Sequence, residues 1–135
     1  TSGEGNDESC VVRVSIGAYS LLLTGDVEAA AERHMLERDM PVGADVVVVP
    51  HHGSRTSSSV PFVDSVSPLV AIVSAAYANR WGFPRDAVVD RWEAVGASVL
   101  NTARHGAVRV RLCAAQGLVA TEAERERRRR FWHAE

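Results

Sequence analysis

Two hydrophobic periods alternate along this chain. Val12, Val14 and Ile16 recur at every second position around Arg13 and Ser15, the mark of a strand. Gly17-Ala18 can turn the chain and Tyr19–Leu23 can return it, which predicts a hairpin. The period then lengthens. From Val27 to Arg38 the alanines and Glu32 favour helix, with Val27, Ala30, Ala31 and Met35 on one face, until Pro41 and Gly43 end it. Ala44–Val49, apolar but for Asp45, is mostly β-branched, as in strands buried on both faces.

His51–Ser59 reads as a loop, Val60–Val66 as a short helix stopped by Pro68, and Leu69–Val73 as a second buried strand. Pro84 is placed as a first-turn proline of a helix whose stripe is Val88, Val89, Trp92 and Val95, with Gly96 as its cap. Ser98–Leu100, Ala107–Leu112 and Leu118–Thr121 read as strands, with a turn at Arg104-His105-Gly106. Glu122–Trp132 reads as a charged helix or tail. The order β-β-α-β-(α)-β-α-β-β predicts an α/β chain with a mixed sheet.

Composition narrows this little. The 135 residues suffice for one domain, and 46% hydrophobic with 24% charged residues is ordinary for a folded soluble protein. No apolar run approaches the ~18–20 residues of a membrane span. Thr1–Glu8 is polar and acidic, unlike a signal peptide. A net charge of -2 supplies no global field for nucleic acid. All 15 basic residues are arginine, five of them between Arg125 and Arg130 beside Phe131 and Trp132; such a segment can contact phosphate and bases, or form a solvated face or a membrane-surface anchor. Cys10 and Cys113 fit no zinc spacing and read as free thiols.

The candidate chemistry lies where strands end. Leu21–Leu23 runs into Thr24-Gly25-Asp26, and Val46–Val49 runs into Pro50-His51-His52-Gly53-Ser54. Parallel neighbouring strands would bring both ends to one sheet edge, where open α/β sheets bind ligands. Carboxylate and imidazole are ordinary ligands of divalent metals. Asp26 can equally cap the helix that follows. Adjacent histidines leaving a strand should face opposite ways, and Ser54 can hydrogen-bond a phosphate or orient an imidazole. Asn79-Arg80-Trp81-Gly82-Phe83-Pro84 follows a third strand; it can contact an anion or form a rigid turn with its rings packed down. His34 and His133 read as solvated.

Asn6–Val12, Leu22–Asp26, Val49–Ser54 and Asn79–Pro84, in this order, resemble the C-terminal half of a metallo-β-lactamase-like domain, as in the ComEC family of bacterial DNA-internalisation competence proteins. The resemblance implies an αββα sandwich over residues 9–121, between a flexible start at 1–8 and an Arg-rich tail at 122–135. It implies a dinuclear zinc or manganese site hydrolysing DNA phosphodiesters. Asp26 would bridge the metals and His52 would be a ligand; His51 would position phosphate or donate a proton, with Ser54 beside it. It further implies an inner-membrane protein with this soluble part on the periplasmic side. The partners implied are DNA, the upstream half of the domain, a membrane channel domain, and a second copy through an exposed sheet face. Two departures stand out. The family's His-x-His-x-Asp-His cluster is absent from these residues and is expected upstream, so the chain alone should be inactive. Phe83 stands where many relatives have a histidine. The alternatives are a non-catalytic DNA- or partner-binding domain, and an α/β hydrolase of another substrate class.

Overall fold

The computed structural model describes residues 5–128 and 130. Strands β1 (Val12–Ile16) and β2 (Tyr19–Leu23) form the antiparallel hairpin, with Ile16 opposite Tyr19. Helix α1 (Ala29–Glu37) leads to β3 (Val46–Val48), α2 (Val60–Val66) to β4 (Val70–Val73), and α3 (Asp86–Ala94) to β5 (Ser98–Asn101). The sheet order is β1-β2-β3-β4-β5, with every pair from β2 to β5 parallel. After a single-turn α4 (Thr102–His105), β6 (Val108–Cys113) and β7 (Gly117–Ala123) form a separate two-stranded sheet, followed by α5 (Glu124–Arg127).

Register explains the layers. Leu22, Val47, Ala71 and Val99 lie side by side across the sheet. They pack with Val27 and Met35, with Phe62, Val63 and Val66, and with Val88 and Trp92, so all three crossover helices cover one face. The opposite face presents Leu21, Leu23, Val46, Val48 and Ile72 toward Val108, Val110 and Leu112 of β6. The described residues thus make an α/β/β arrangement with a mixed sheet. The second β layer is a hairpin, where the resemblance implied a full αββα sandwich. An apolar strip of Val12, Val14, Ile16 and Leu23 stays exposed.

Several expectations need correction. Asp26 does not cap α1: the helix starts at Ala29 with Glu28 as its cap, and Thr56 O accepts from Ala29 N at 2.9 Å. The inward stripe of α1 was expected to hold Ala30; Ala30 is exposed, and the carboxylate of Glu32 is buried instead. Helix α3 begins at Asp86, two residues after Pro84, with Arg85 as its cap. Arg104 and His105 belong to α4 rather than a turn, and His105 Nδ1 lies 3.1 Å from Asn101 N. Glu122 and Ala123 extend β7, so among the described residues the helical part of the tail is the four-residue α5. Phe131, Trp132 and His133 lie outside the described residues.

Candidate functional site

The carboxyl ends of β2, β3 and β4 open into one cleft of about 610 Å³. It is lined by Asp26, His51, His52, Ser74, Ala75, Ala76, Asn79, Trp81 and Phe83. Its position follows from parallel strands, whose successive exits lie side by side.

The two histidines reach it by an unusual backbone. Strand β3 stops at Val48, so strand alternation does not govern residues 51 and 52. Both sit in left-handed conformation, with φ of 49° and 54°. Both side chains line the cleft, their rings 6.3 Å apart, which corrects the expectation that they would diverge. Left-handed conformation costs a non-glycine residue ~1–2 kcal/mol, and such strain gathers at functional sites. Gly53 completes the turn at φ 80°, where an added Cβ would lie 2.5 Å from the Pro84 Cβ. Gly53→Ala is therefore expected to cost about 1–3 kcal/mol in denaturant unfolding; an unchanged midpoint would show that the turn is not constrained by Pro84.

Each imidazole is pinned. His52 Nδ1 donates to the Ser74 carbonyl at 2.7 Å, since a carbonyl can only accept. That leaves Nε2 with its lone pair, 3.4 Å from Asp26 Oδ1. Two ligand atoms of one tetrahedral zinc stand about 3.3 Å apart if each bond is ~2.0–2.1 Å. A backbone carbonyl on the far nitrogen is the usual support of a ligating histidine. The pair therefore fits one edge of a divalent-metal site. Among the described residues, no third His, Cys, Asp or Glu joins them in a metal-binding group.

His51 Nδ1 donates to Glu28 Oε1 at 3.0 Å, and Thr56 Oγ1 donates to the same oxygen at 3.0 Å. Asn6 Nδ2 lies 3.4 Å from His51 Nε2. A carboxylate on Nδ1 fixes the tautomer and the direction of the ring, as an acid–base histidine requires. Glu28 escaped the sequence reading because an acidic residue at a helix start is commonplace. The Ser74 carbonyl escaped it because backbone atoms leave no sequence mark.

The structure brings Asp26, His51 and His52 together and leaves Ser54 out. Ser54 is buried, its hydroxyl 3.0 Å from Thr56 Oγ1, and it does not line the cleft. His34 is exposed on α1, and His105 lies outside the cleft. Asn79 is spent on its own loop: its side chain donates to Ala76 O and Phe83 O and accepts from Phe83 N. Among the described residues, no helix is long and apolar enough to cross a membrane.

An α/β chain with an Asp–His edge and a carboxylate-backed histidine at its strand ends is the class defined so far. The chain is 43% identical to the uncharacterized protein YcaI of Escherichia coli (strain K12) over 115 residues, 84% of this chain and 15% of that protein. It is 40% identical to the competence protein ComA of Neisseria gonorrhoeae over 76% of its own length and 15% of that protein's. It is 43% identical to recombination protein 2 of Haemophilus influenzae over 78% of its length and 13% of that protein's. The chain thus spans about one seventh of the relatives it matches. No protein-family profile matches it. The resemblance to a ComEC metallo-β-lactamase-like domain is corrected accordingly. The likeness found is to part of proteins named for competence and recombination. The motifs behind that resemblance record strand ends and tight turns, which serve more than one family.

Proposed function

We propose that this chain serves DNA uptake in competence, and that its cleft acts on the phosphodiester backbone of DNA. The observation that carries the reading is the pinned His52, whose free Nε2 faces Asp26 at 3.4 Å. Asp26 and His52 would hold a divalent cation, zinc or manganese. Such an ion, held by these two residues, would supply Lewis-acid polarisation of a phosphoryl oxygen and a more acidic, nucleophilic water. His51, oriented by Glu28, would in its imidazolium form give its Nε2 proton to the leaving oxygen as the water oxygen bonds phosphorus and the phosphorus–oxygen bond to the leaving group breaks. The left-handed turn holds both rings on the cleft side throughout. The names of the relatives, competence and recombination proteins, support DNA as the partner.

The test is manganese-dependent cleavage of DNA by the whole protein. Asp26→Ala and His52→Ala are each expected to lower the rate at least about tenfold, as loss of a metal ligand or its support does. Equal rates in all three proteins remove the assignment. Non-catalytic DNA binding is the second reading, favoured by Phe83, which lines the cleft and offers no proton or metal ligand.

The exposed strip of Val12, Val14, Ile16 and Leu23 supports self-association of the chain. Sedimentation equilibrium is expected to show mass rising with concentration, and Val14→Glu to abolish the rise; a wild-type monomer at high concentration contradicts it.

A further inference from the structure

One wall of the cleft has no part in the acid–base or metal chemistry. Trp81 and Phe83 stack with ring planes 15° apart and centroids 6.3 Å apart. The Arg80 guanidinium lies over the Trp81 ring, 4.4 Å from its centroid. Phe83 meets His51 edge-on at 5.9 Å, so the stack runs outward from the histidine that would face the scissile phosphate. Neither ring belongs to the hydrophobic core, and Trp81 is 54% exposed.

This exposure is held in place. Asn79 ties both ends of the segment, accepting from Phe83 N at 2.9 Å and donating to Phe83 O at 2.7 Å and Ala76 O at 3.0 Å. Gly82 N donates to Asn79 O at 3.1 Å. The ring is therefore presented at little entropic cost to a ligand. An exposed indole with a guanidinium over it suits a flat π-system that carries an anion: the π-system takes the guanidinium's place on the ring and the guanidinium pairs the anion, which is what a nucleotide offers. Bases in a duplex already have both faces stacked. A ring face can take only an unpaired or flipped base.

We propose that Trp81, backed by Phe83, is a nucleobase-stacking subsite that takes an unpaired base of a DNA strand next to the phosphate at His51, with Arg80 giving up the ring to pair that strand's phosphate. This deepens the hydrolytic reading and rests on it for the nature of the ligand. It makes single-stranded DNA, or a locally opened duplex, the preferred substrate.

The test is fluorescence anisotropy of the chain with a labelled oligothymidylate and with an abasic deoxyribose-phosphate strand of the same length, without divalent metal. The wild type is expected to prefer the base-bearing strand. Trp81→Ala should weaken that binding about fivefold to a hundredfold, the range for one base–aromatic stack. It should leave the abasic strand unaffected, and Trp81→Phe should retain most of the preference. Thymidine monophosphate, a base without a strand, should compete only weakly; competition equal to the strand's would make the site one for free nucleotides and overturn the assignment to DNA. Equal loss on both strands, no loss, or no wild-type preference overturns the stacking subsite. Binding is read on the chain without metal, and cleavage on the whole protein with manganese. Base-dependent binding without cleavage sinks the hydrolytic reading alone; cleavage with binding untouched by Trp81→Ala sinks the stacking subsite alone.

Discussion

Trp92→Ala is expected to destabilise the chain by about 3–5 kcal/mol, the range for truncating a buried tryptophan. Trp92 is fully buried on α3 and meets Phe62 of α2 at 86° between planes. It therefore joins two of the three crossover helices over the sheet. Its Nε1 also donates to Ser58 Oγ at 3.1 Å. Truncation leaves a cavity that neither helix can close without pulling off the strands, and it unpairs a buried hydroxyl. Urea unfolding gives the number. A loss below ~1 kcal/mol would mean that the site collapses freely and α3 is not a keystone. Phe62→Ala should fall in the same range, and the double variant should lose less than the sum because the rings share one contact.

Glu32→Ala is expected to cost about 2–4 kcal/mol, because it strips the acceptor from two enclosed backbone donors. Glu32 is fully buried, and its carboxylate accepts from Ser58 N at 2.6 Å and Ser59 N at 2.8 Å. Those donors belong to the loop that anchors the histidine turn: Ser57 Oγ donates to Pro50 O at 2.9 Å. The variant should therefore also blur the placement of His51. Burial pushes the Glu32 carboxyl above its ordinary 4.5, against the hydrogen bonds from Ser59 and Ser58 and the nearby Arg91. The folded state then binds this proton more tightly than the unfolded chain. The contribution to stability is greatest below 4.5 and falls as pH rises through the folded value. Glu32→Gln removes the titrating group. It should flatten this part of the pH profile while losing one of the two hydrogen bonds. A Gln variant with the same slope as wild type would show that the slope arises elsewhere.

Much of the fold was legible because the periods are clean. The hairpin, the helix at Val60–Val66 and the strands around Val46–Val48 and Val70–Val73 come from local alternation and β-branched runs, which depend little on distant residues. Element starts were less legible. Asp26 and Pro84 are good helix-start residues, yet α1 and α3 begin two or three residues later. The chain must first leave the sheet edge, and those turns are set by contacts with Thr56 and Gly53. Glu32 reads as a solvated helix residue in any local window. Only a loop bearing two unpaired N–H groups draws it inward.

The sequence by itself determined that Asp26 and the two histidines follow the ends of two strands joined by a helix, because those strands and that helix are written in local period; that the strands are parallel neighbours is what the structure adds. Only the tertiary structure decided which way they face. The left-handed turn at His51 and His52, the Ser74 carbonyl on one ring and Glu28 on the other depend on atoms far apart in the chain. Side-chain direction at a strand's end is set by the neighbours it meets, and local pattern carries no record of them.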